Sequence, residues 1–188
     1  RISNERKDFA RLPERDPLQK VLQMHDVRTV SIGKISDLFG HVGFDEQIKT
    51  KSNAEGVTTI LDAIDAARDR VNPTFVWANL IDFDQEYGHR NDPQGFAQAL
   101  EELDAALPEL LEALPGNGVL LLTGDHGNDP TMPGTDHTRE FVPLLVVEGA
   151  NPDGPGRDLG LRSSFADHAS TVADFFGVPF DSEGTSFL

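Results

Sequence analysis

The chain has 188 residues, 38% of them apolar, which is enough for a sizeable core and too many for a disordered chain. Acids outnumber bases 32 to 16, for a formal charge of -16. That excludes the basic footprint needed for nucleic acid or for an anionic membrane surface. No apolar run approaches the roughly 18 residues of a membrane span, and no signal peptide is evident. With no cysteine in the chain, disulfides, thiolate metal sites and cysteine nucleophiles are excluded, and the composition fits a reducing, cytoplasmic setting.

In chain order, residues 1–28 are polar, with Pro13 and Pro17, and read as a connecting segment followed by a short helix carrying Leu18, Val21 and Leu22. Thr29 to Gly33 is a β-branched run ending in glycine, a buried strand. Ile35 to Phe39 reads as a helical turn. Asn53 to Val71 is a helix, because Val57, Ile60, Leu61, Ile64, Ala67 and Val71 recur at three and four residues; Asn53 is its expected N-cap. Thr74 to Ile81 is apolar nearly throughout, as in a strand covered on both faces, and makes Trp77 a core residue. Pro93 to Leu114 is a second long helix with a stripe of Phe96, Leu100, Leu103, Leu107 and Leu111, which Pro108 should kink or restart. Val119 to Thr123 and Phe141 to Val147 are further buried strands. Residues 149–160 are a loop by composition. Ser164 to Phe176 is the last helix, with Ser164 and Asp167 as a capping-box variant and Gly177 as its stop. This alternation predicts an α/β fold, a mostly parallel sheet flanked by helices on both faces, and such sheets bind ligands beyond the carboxyl ends of their strands.

The residues after those strand ends are informative. Asp82-Phe83-Asp84-Gln85-Glu86-Tyr87-Gly88-His89 follows one strand and Gly124-Asp125-His126-Gly127 another. Gly134-Thr135-Asp136-His137-Thr138-Arg139-Glu140 comes ten residues later. An Asp-His dipeptide alone is usually a surface pair. Three histidines, each with an aspartate nearby at or beside a strand end, instead point to a site for a borderline divalent cation such as manganese, iron or zinc. Asp125 and His126 would face opposite sides of an extended strand, and the flanking Gly124 and Gly127 permit the bend that would bring them together. The other histidines read as structural: His25 solvated, His41 in a Gly-rich turn, His168 on a helix face.

At these residues the chain resembles the phosphopentomutases of the alkaline phosphatase superfamily. The likeness covers Arg6-Lys7-Asp8-Phe9-Ala10, Ser31-Ile32-Gly33-Lys34-Ile35, Asp82-Phe83-Asp84 with Gly88-His89-Arg90, and Asp125-His126-Gly127. It continues through Gly134-Thr135-Asp136-His137-Thr138-Arg139-Glu140, Phe165-Ala166-Asp167 and Gly184-Thr185-Ser186-Phe187. Asp-His-Gly marks only the superfamily, whereas the Gly-Thr-Asp-His-Thr-Arg-Glu block is far more specific. The resemblance implies an alkaline phosphatase-like core holding two Mn2+ ions. One ion would take Asp84, His89 and His137, the other Asp125 and His126, and both would bridge a phosphorylated threonine. It implies exchange of phosphate between C1 and C5 of ribose or deoxyribose, a step of nucleoside catabolism, primed by a sugar bisphosphate such as glucose 1,6-bisphosphate. The partner is then a small anionic sugar phosphate, with no nucleic acid and no membrane.

Ligand arithmetic leaves a gap, because the second ion has only two ligands here. The family pattern adds an aspartate and the nucleophilic threonine on an N-terminal part. The expectation is therefore that residues 1–188 are the C-terminal part of a metal-binding core domain that opens at Arg1 without its first strands or its cap domain. Residues 1–15 would be the return segment from that cap, and the chain alone would be inactive. No catalytic residue is expected within it. Arg139 suits a bidentate contact with phosphate or carboxylate, or equally a salt bridge with Glu140 or another acid; Lys34 is a further candidate for substrate contact. The competing readings are another enzyme of the superfamily (a phosphatase, phosphodiesterase or phosphoglycerate mutase) and a non-catalytic metal-binding remnant.

Overall fold

A computed structural model of the chain describes residues 12–149 and 154–188. The Arg6–Ala10 stretch of the resemblance, and most of the expected return segment, lie outside the described residues. The fold divides into two units.

Among the described residues the first unit comprises 12–49, 70–78 and 157–188. Its centre is β1 (Arg28–Ile32), whose residues from Thr29 onward are fully buried. Such burial follows from pairing on both edges. β2 (Glu46–Ile48) and β3 (Thr74–Ala78) flank β1, both parallel to it, in register Val30↔Glu46, Ile32↔Ile48 and Ile32↔Ala78. Gly33, at φ 78°, ends β1 and donates its N–H to Ile48. α1 (Leu18–Met24) and α2 (Ile35–Leu38) bracket β1 in the chain, and Leu18, Leu22, Val27, Val30, Ile32, Ile35 and Phe44 form the buried apolar core around it. Buried Gln19 is satisfied by the Val42 carbonyl at 3.2 Å.

β2 lacks an apolar run and is not foreseen in the sequence. It is held by its flank, where the Asp45 carboxylate accepts from both the backbone N–H and the hydroxyl of Thr29. β3 is shorter than the Thr74–Ile81 expectation and only half-buried throughout, as befits a strand at the sheet edge. Trp77 is accordingly half-buried, packed on Phe39 and Phe75 at 5.1 and 5.8 Å between ring centroids.

The last helix is α5 (Ala166–Phe175). Gly177, at φ 64°, stops it as expected, its N–H bonding to Asp174. The capping-box expectation is corrected: Ser164 Oγ does accept from Ala166 N–H, but buried Asp167 turns elsewhere. Its carboxylate accepts from Thr185 N–H at 2.9 Å and Arg162 Nε at 2.7 Å. These two contacts, in that order of importance, hold the Asp167 carboxyl below its ordinary value of 3.8.

Among the described residues the second unit comprises 50–69, 79–149 and 154–156. α3 (Asn53–Arg68) starts one residue earlier than the Asn53 cap implies, because Ser52 Oγ accepts from Glu55 N–H. Val71 falls beyond the helix and is fully exposed, so it is not part of the stripe. α4 (Pro93–Ala113) is capped by Asp92, which accepts from Gly95 N–H, and runs through Pro108 without restarting. Leu100 is half exposed, and the buried positions of α4 are Ala99 and Leu110. β4 (Val119–Thr123) pairs antiparallel with β5 (Leu144–Glu148), in register Leu121↔Val146. The chain reverses because the segment between them has no crossover helix, which a parallel return requires. Phe141 is 82% exposed and does not belong to β5. Among the described residues no helix is long and apolar enough to cross a membrane.

Candidate metal centre

All five sequence-predicted ligands lie in the second unit. The first two come from the chain just after residue 81. There Asn53 and Asp82 exchange hydrogen bonds, Asn53 N–H donating to Asp82 Oδ2 (2.7 Å) and Asp82 N–H to Asn53 Oδ1 (2.9 Å), which ties this segment to the start of α3. The backbone then makes a π-helical turn, Phe83–Tyr87, and a 3-10 turn, Gly88–Arg90. An i→i+5 winding suits residues five apart, and Asp84 and His89 are so spaced. Phe83 anchors the turn against Phe96 of α4, at 5.5 Å.

The other three come from the segment between β4 and β5. Gly127 and Thr138 form an isolated antiparallel bridge, Thr138 N–H donating to the Gly127 carbonyl. A Cβ on Gly127 would sit 2.6 Å from the Thr138 oxygen and 2.7 Å from Glu140 N, so the close approach requires glycine. The bridge zips the two loops together and stacks the rings of His126 and His137, 3.6 Å apart and 16° from parallel.

The loops converge on one oxygen. Asp84 Oδ1 lies 3.2 Å from His89 Nε2, 3.2 Å from His137 Nε2 and 4.0 Å from His126 Nε2. Donor atoms of Asp84, His89 and His137 all fall within 4.8 Å of one another. Asp125 Oδ1 is 3.6 Å from His126 Nε2 and is the more exposed carboxylate.

Hydrogen accounting shows what this arrangement suits. His89 Nδ1 faces the Thr135 carbonyl and His126 Nδ1 the Gly127 carbonyl. A carbonyl only accepts, so both rings carry their proton on Nδ1. In the neutral ring Nε2 is then a bare lone pair, yet both Nε2 atoms face carboxylate oxygens, acceptor against acceptor. Either a second ring proton or a metal ion between them resolves the conflict, and a backbone carbonyl fixing the far nitrogen is the usual support of a metal-ligating histidine. The set of imidazole and carboxylate donors fits a borderline divalent metal. The centre is open on one side: the His137 side chain is 46% exposed.

Other polar groups in the loops have different tasks. Asp129 is occupied by Thr131, whose hydroxyl and backbone N–H bond its Oδ1 and hold its carboxyl below the ordinary value. Glu140 accepts from the Thr138 hydroxyl. Arg139 is exposed and has no ion pair among the described residues, so the alternative of a salt bridge with Glu140 is not realised. Lys34 is exposed at the N-cap of α2, in the first unit. Sequence reasoning missed Asn128, whose Nδ2 donates to Asp84 Oδ1 at 2.8 Å, and Asn91, left-handed at φ 51°, whose amide donates to the Met132 carbonyl. A neutral amide carries no chemical flag in a sequence; only its neighbour across space gives it a role.

Known proteins resemble the chain over nearly its whole length. Residues 3–180 match the family model described as metalloenzyme superfamily. Proteins named phosphopentomutase from Anaeromyxobacter sp. (strain K) and Anaeromyxobacter dehalogenans (strain 2CP-1 / ATCC BAA-258) are each 50% identical over 184 residues, 98% of this chain. One from Anaeromyxobacter sp. (strain Fw109-5) is 50% identical over 97% of it. The chain spans 45% of the length of each of these relatives. With a metal-type donor cluster in place and the family model covering nearly all its residues, the chain belongs to the metalloenzyme superfamily.

Proposed function

We propose that this chain carries metal-holding machinery of a phosphopentomutase, which moves phosphate between C1 and C5 of ribose or deoxyribose in cytoplasmic nucleoside catabolism. The observation that carries the reading is the convergence of His89 and His137 Nε2 on Asp84 Oδ1, with the Nδ1 proton of His89 already committed to a backbone carbonyl. The relatives named phosphopentomutase support the choice of reaction.

In this proposal Asp84, His89 and His137 hold one manganese ion, and Asp125 and His126 hold a second. Two such ions would supply charge stabilisation to an in-line phosphoryl displacement. The chain's own residues do the positioning. The Asn53–Asp82 exchange and the Gly127–Thr138 bridge hold the donors in place, and the exposed, unpaired guanidinium of Arg139 grips the phosphate of the sugar bidentately. The hydroxyls of Thr123, Thr131 and Thr138 are engaged by Gly124, Asp129 and Glu140. On the family pattern the nucleophilic threonine and the remaining carboxylate of the second ion come from outside these residues, and glucose 1,6-bisphosphate or a similar bisphosphate primes the reaction.

The test follows ribose 1-phosphate by phosphorus NMR, with Mn2+ and glucose 1,6-bisphosphate present. The 188-residue chain alone is expected to turn nothing over, and a longer protein containing it should yield ribose 5-phosphate. Free phosphate as the sole product would replace the mutase with a phosphatase; turnover by the chain alone would refute the division of labour.

A further inference from the structure

We propose that Asn128 is a positioning residue that orients the Asp84 carboxylate for the cation; this rests on the reading of Asp84, His89 and His137 as metal ligands. Asn128 lies two residues beyond His126, and its amide reaches across to the turn that carries both Asp84 and His89. The approach is possible only because residue 88 is glycine. A Cβ there would stand 2.1 Å from Asn128 Nδ2 and 2.5 Å from its Cγ. Gly88 is buried, so the amide lies flat on the turn with no room for a side chain between them.

The chemistry of the contact is specific. An aspartate is free about its terminal torsion, where rotamers are broad and roughly two-fold. One hydrogen bond to Oδ1 removes that freedom and leaves a further lone pair on the same oxygen for a cation. A primary amide does this without charge. A lysine or arginine at residue 128 would orient the carboxylate equally well and repel the ion. Asn128 also couples the two ligand-bearing loops, because one end of its side chain belongs to the loop of His126 and the other rests on the turn of His89.

The test titrates Mn2+ into the purified protein, reading the free ion by the loss of its aqueous EPR signal, with melting of the metal-free forms followed in parallel. Asn128→Ala is expected to weaken Mn2+ binding by roughly 10–100-fold, the usual loss when an outer partner of a ligand is removed. Gly88→Ala, which keeps the amide but displaces it, is expected to weaken binding as well. Asn128→Asp keeps the shape but loses the donor and sets a second acceptor against Asp84, so its metal-free melting point should fall. Unchanged Mn2+ affinity in Asn128→Ala overturns the proposal. So does an equal shift of the metal-free and metal-bound melting points in every variant, which would mark a purely structural contact. A parent protein that binds no Mn2+ would instead overturn the metal reading beneath it.

Discussion

Asp84→Asn removes the charge of the carboxylate on which three imidazoles converge, and its effect can be sized. A ligand that binds only the folded state stabilises it by RT ln(1 + [L]/Kd), about 2.7 kcal/mol at a hundred times Kd. For a chain of this length unfolding cooperatively, one kcal/mol is worth roughly 2–4 °C. Mn2+ at that excess should therefore raise the parent's melting temperature by roughly 5–11 °C. The asparagine is nearly isosteric but neutral, and its amide nitrogen cannot ligate. Even outer partners of a ligand cost roughly 10–100-fold in affinity, so losing the central carboxylate should cost at least about 100-fold. At the same Mn2+ concentration the linkage then falls to about 0.4 kcal/mol and the rise to roughly 1–2 °C. Scanning calorimetry with and without Mn2+, with Mg2+ as a control, measures both numbers. A full-sized rise surviving in Asp84→Asn would mean that the ion sits elsewhere, and the convergence at 3.2, 3.2 and 4.0 Å would then be a fortuitous hydrogen-bonded cluster.

Thr171 is fully buried; its hydroxyl donates to the Asp167 carbonyl and accepts from Phe187 N–H. Thr171→Val keeps the shape but strands that N–H, which should cost about 2 kcal/mol, or roughly 4–8 °C, read as a lower urea midpoint at unchanged slope. His168 has both ring nitrogens buried without a hydrogen-bond partner of normal geometry, between the rings of Phe165 and Phe187. Burial holds its pKa below the ordinary 6.5, with Asp167 and Arg162 acting in opposite directions beside it. The unfolded chain therefore takes up this proton at about pH 6.5 while the folded chain resists, and stability present above that pH is lost as pH falls below it. His168→Leu should abolish this component, so its stability advantage over the parent grows between pH 7.5 and pH 5.5 in urea melts; a constant difference would count against it.

Much of the fold was legible because hydrophobic periodicity dominates where a segment is long or fully buried. β1, α3 and α4 stand close to where the spacing of their apolar residues puts them; β4 keeps its expected bounds, but neither it nor β5 is the buried strand the sequence implies, both being partly exposed in their two-stranded sheet. The misreadings share one cause, a tertiary partner that local pattern does not announce. β2 exists through backbone pairing to β1 and through Asp45 gripping Thr29, not through its own Glu-Gln-Ile. Asn53 looks like a cap and instead exchanges hydrogen bonds with Asp82. Asp167 looks like a capping partner and is an anchor for Thr185 and Arg162. His168 stands on the last helix as expected, but nothing in the local pattern announces that both its ring nitrogens are buried. The candidate ligands were visible for the opposite reason: histidine and aspartate beside glycine at strand ends advertise their chemistry in one dimension. Their supports, Asn128 above all, did not, since a single neutral amide acquires meaning only from what it touches.

The charge of the chain bears on the proposed substrate. A formal charge of -16 is at first sight a poor host for a sugar phosphate, but screening over about 8 Å at physiological salt confines the question to local groups. Asp84, Asp125, Asp129 and Asp136 stand at or beside the ligand positions, four negative charges. Glu140, beside the Gly127–Thr138 bridge, adds a fifth; the two proposed divalent ions would supply four positive charges and Arg139 one more. On the proposed reading the same loops would repel a phosphate when metal-free and admit it when loaded, so the ions would gate binding as well as supply catalytic charge. The sign is measurable. Inorganic phosphate binding to the Mn2+-loaded protein should weaken as salt rises from 0.05 to 0.5 M (working values of about one decade in ionic strength), and chelation should abolish it. Binding that strengthens with salt would mean that the surrounding acids still prevail at the site, and that the ions alone do not recruit the anion.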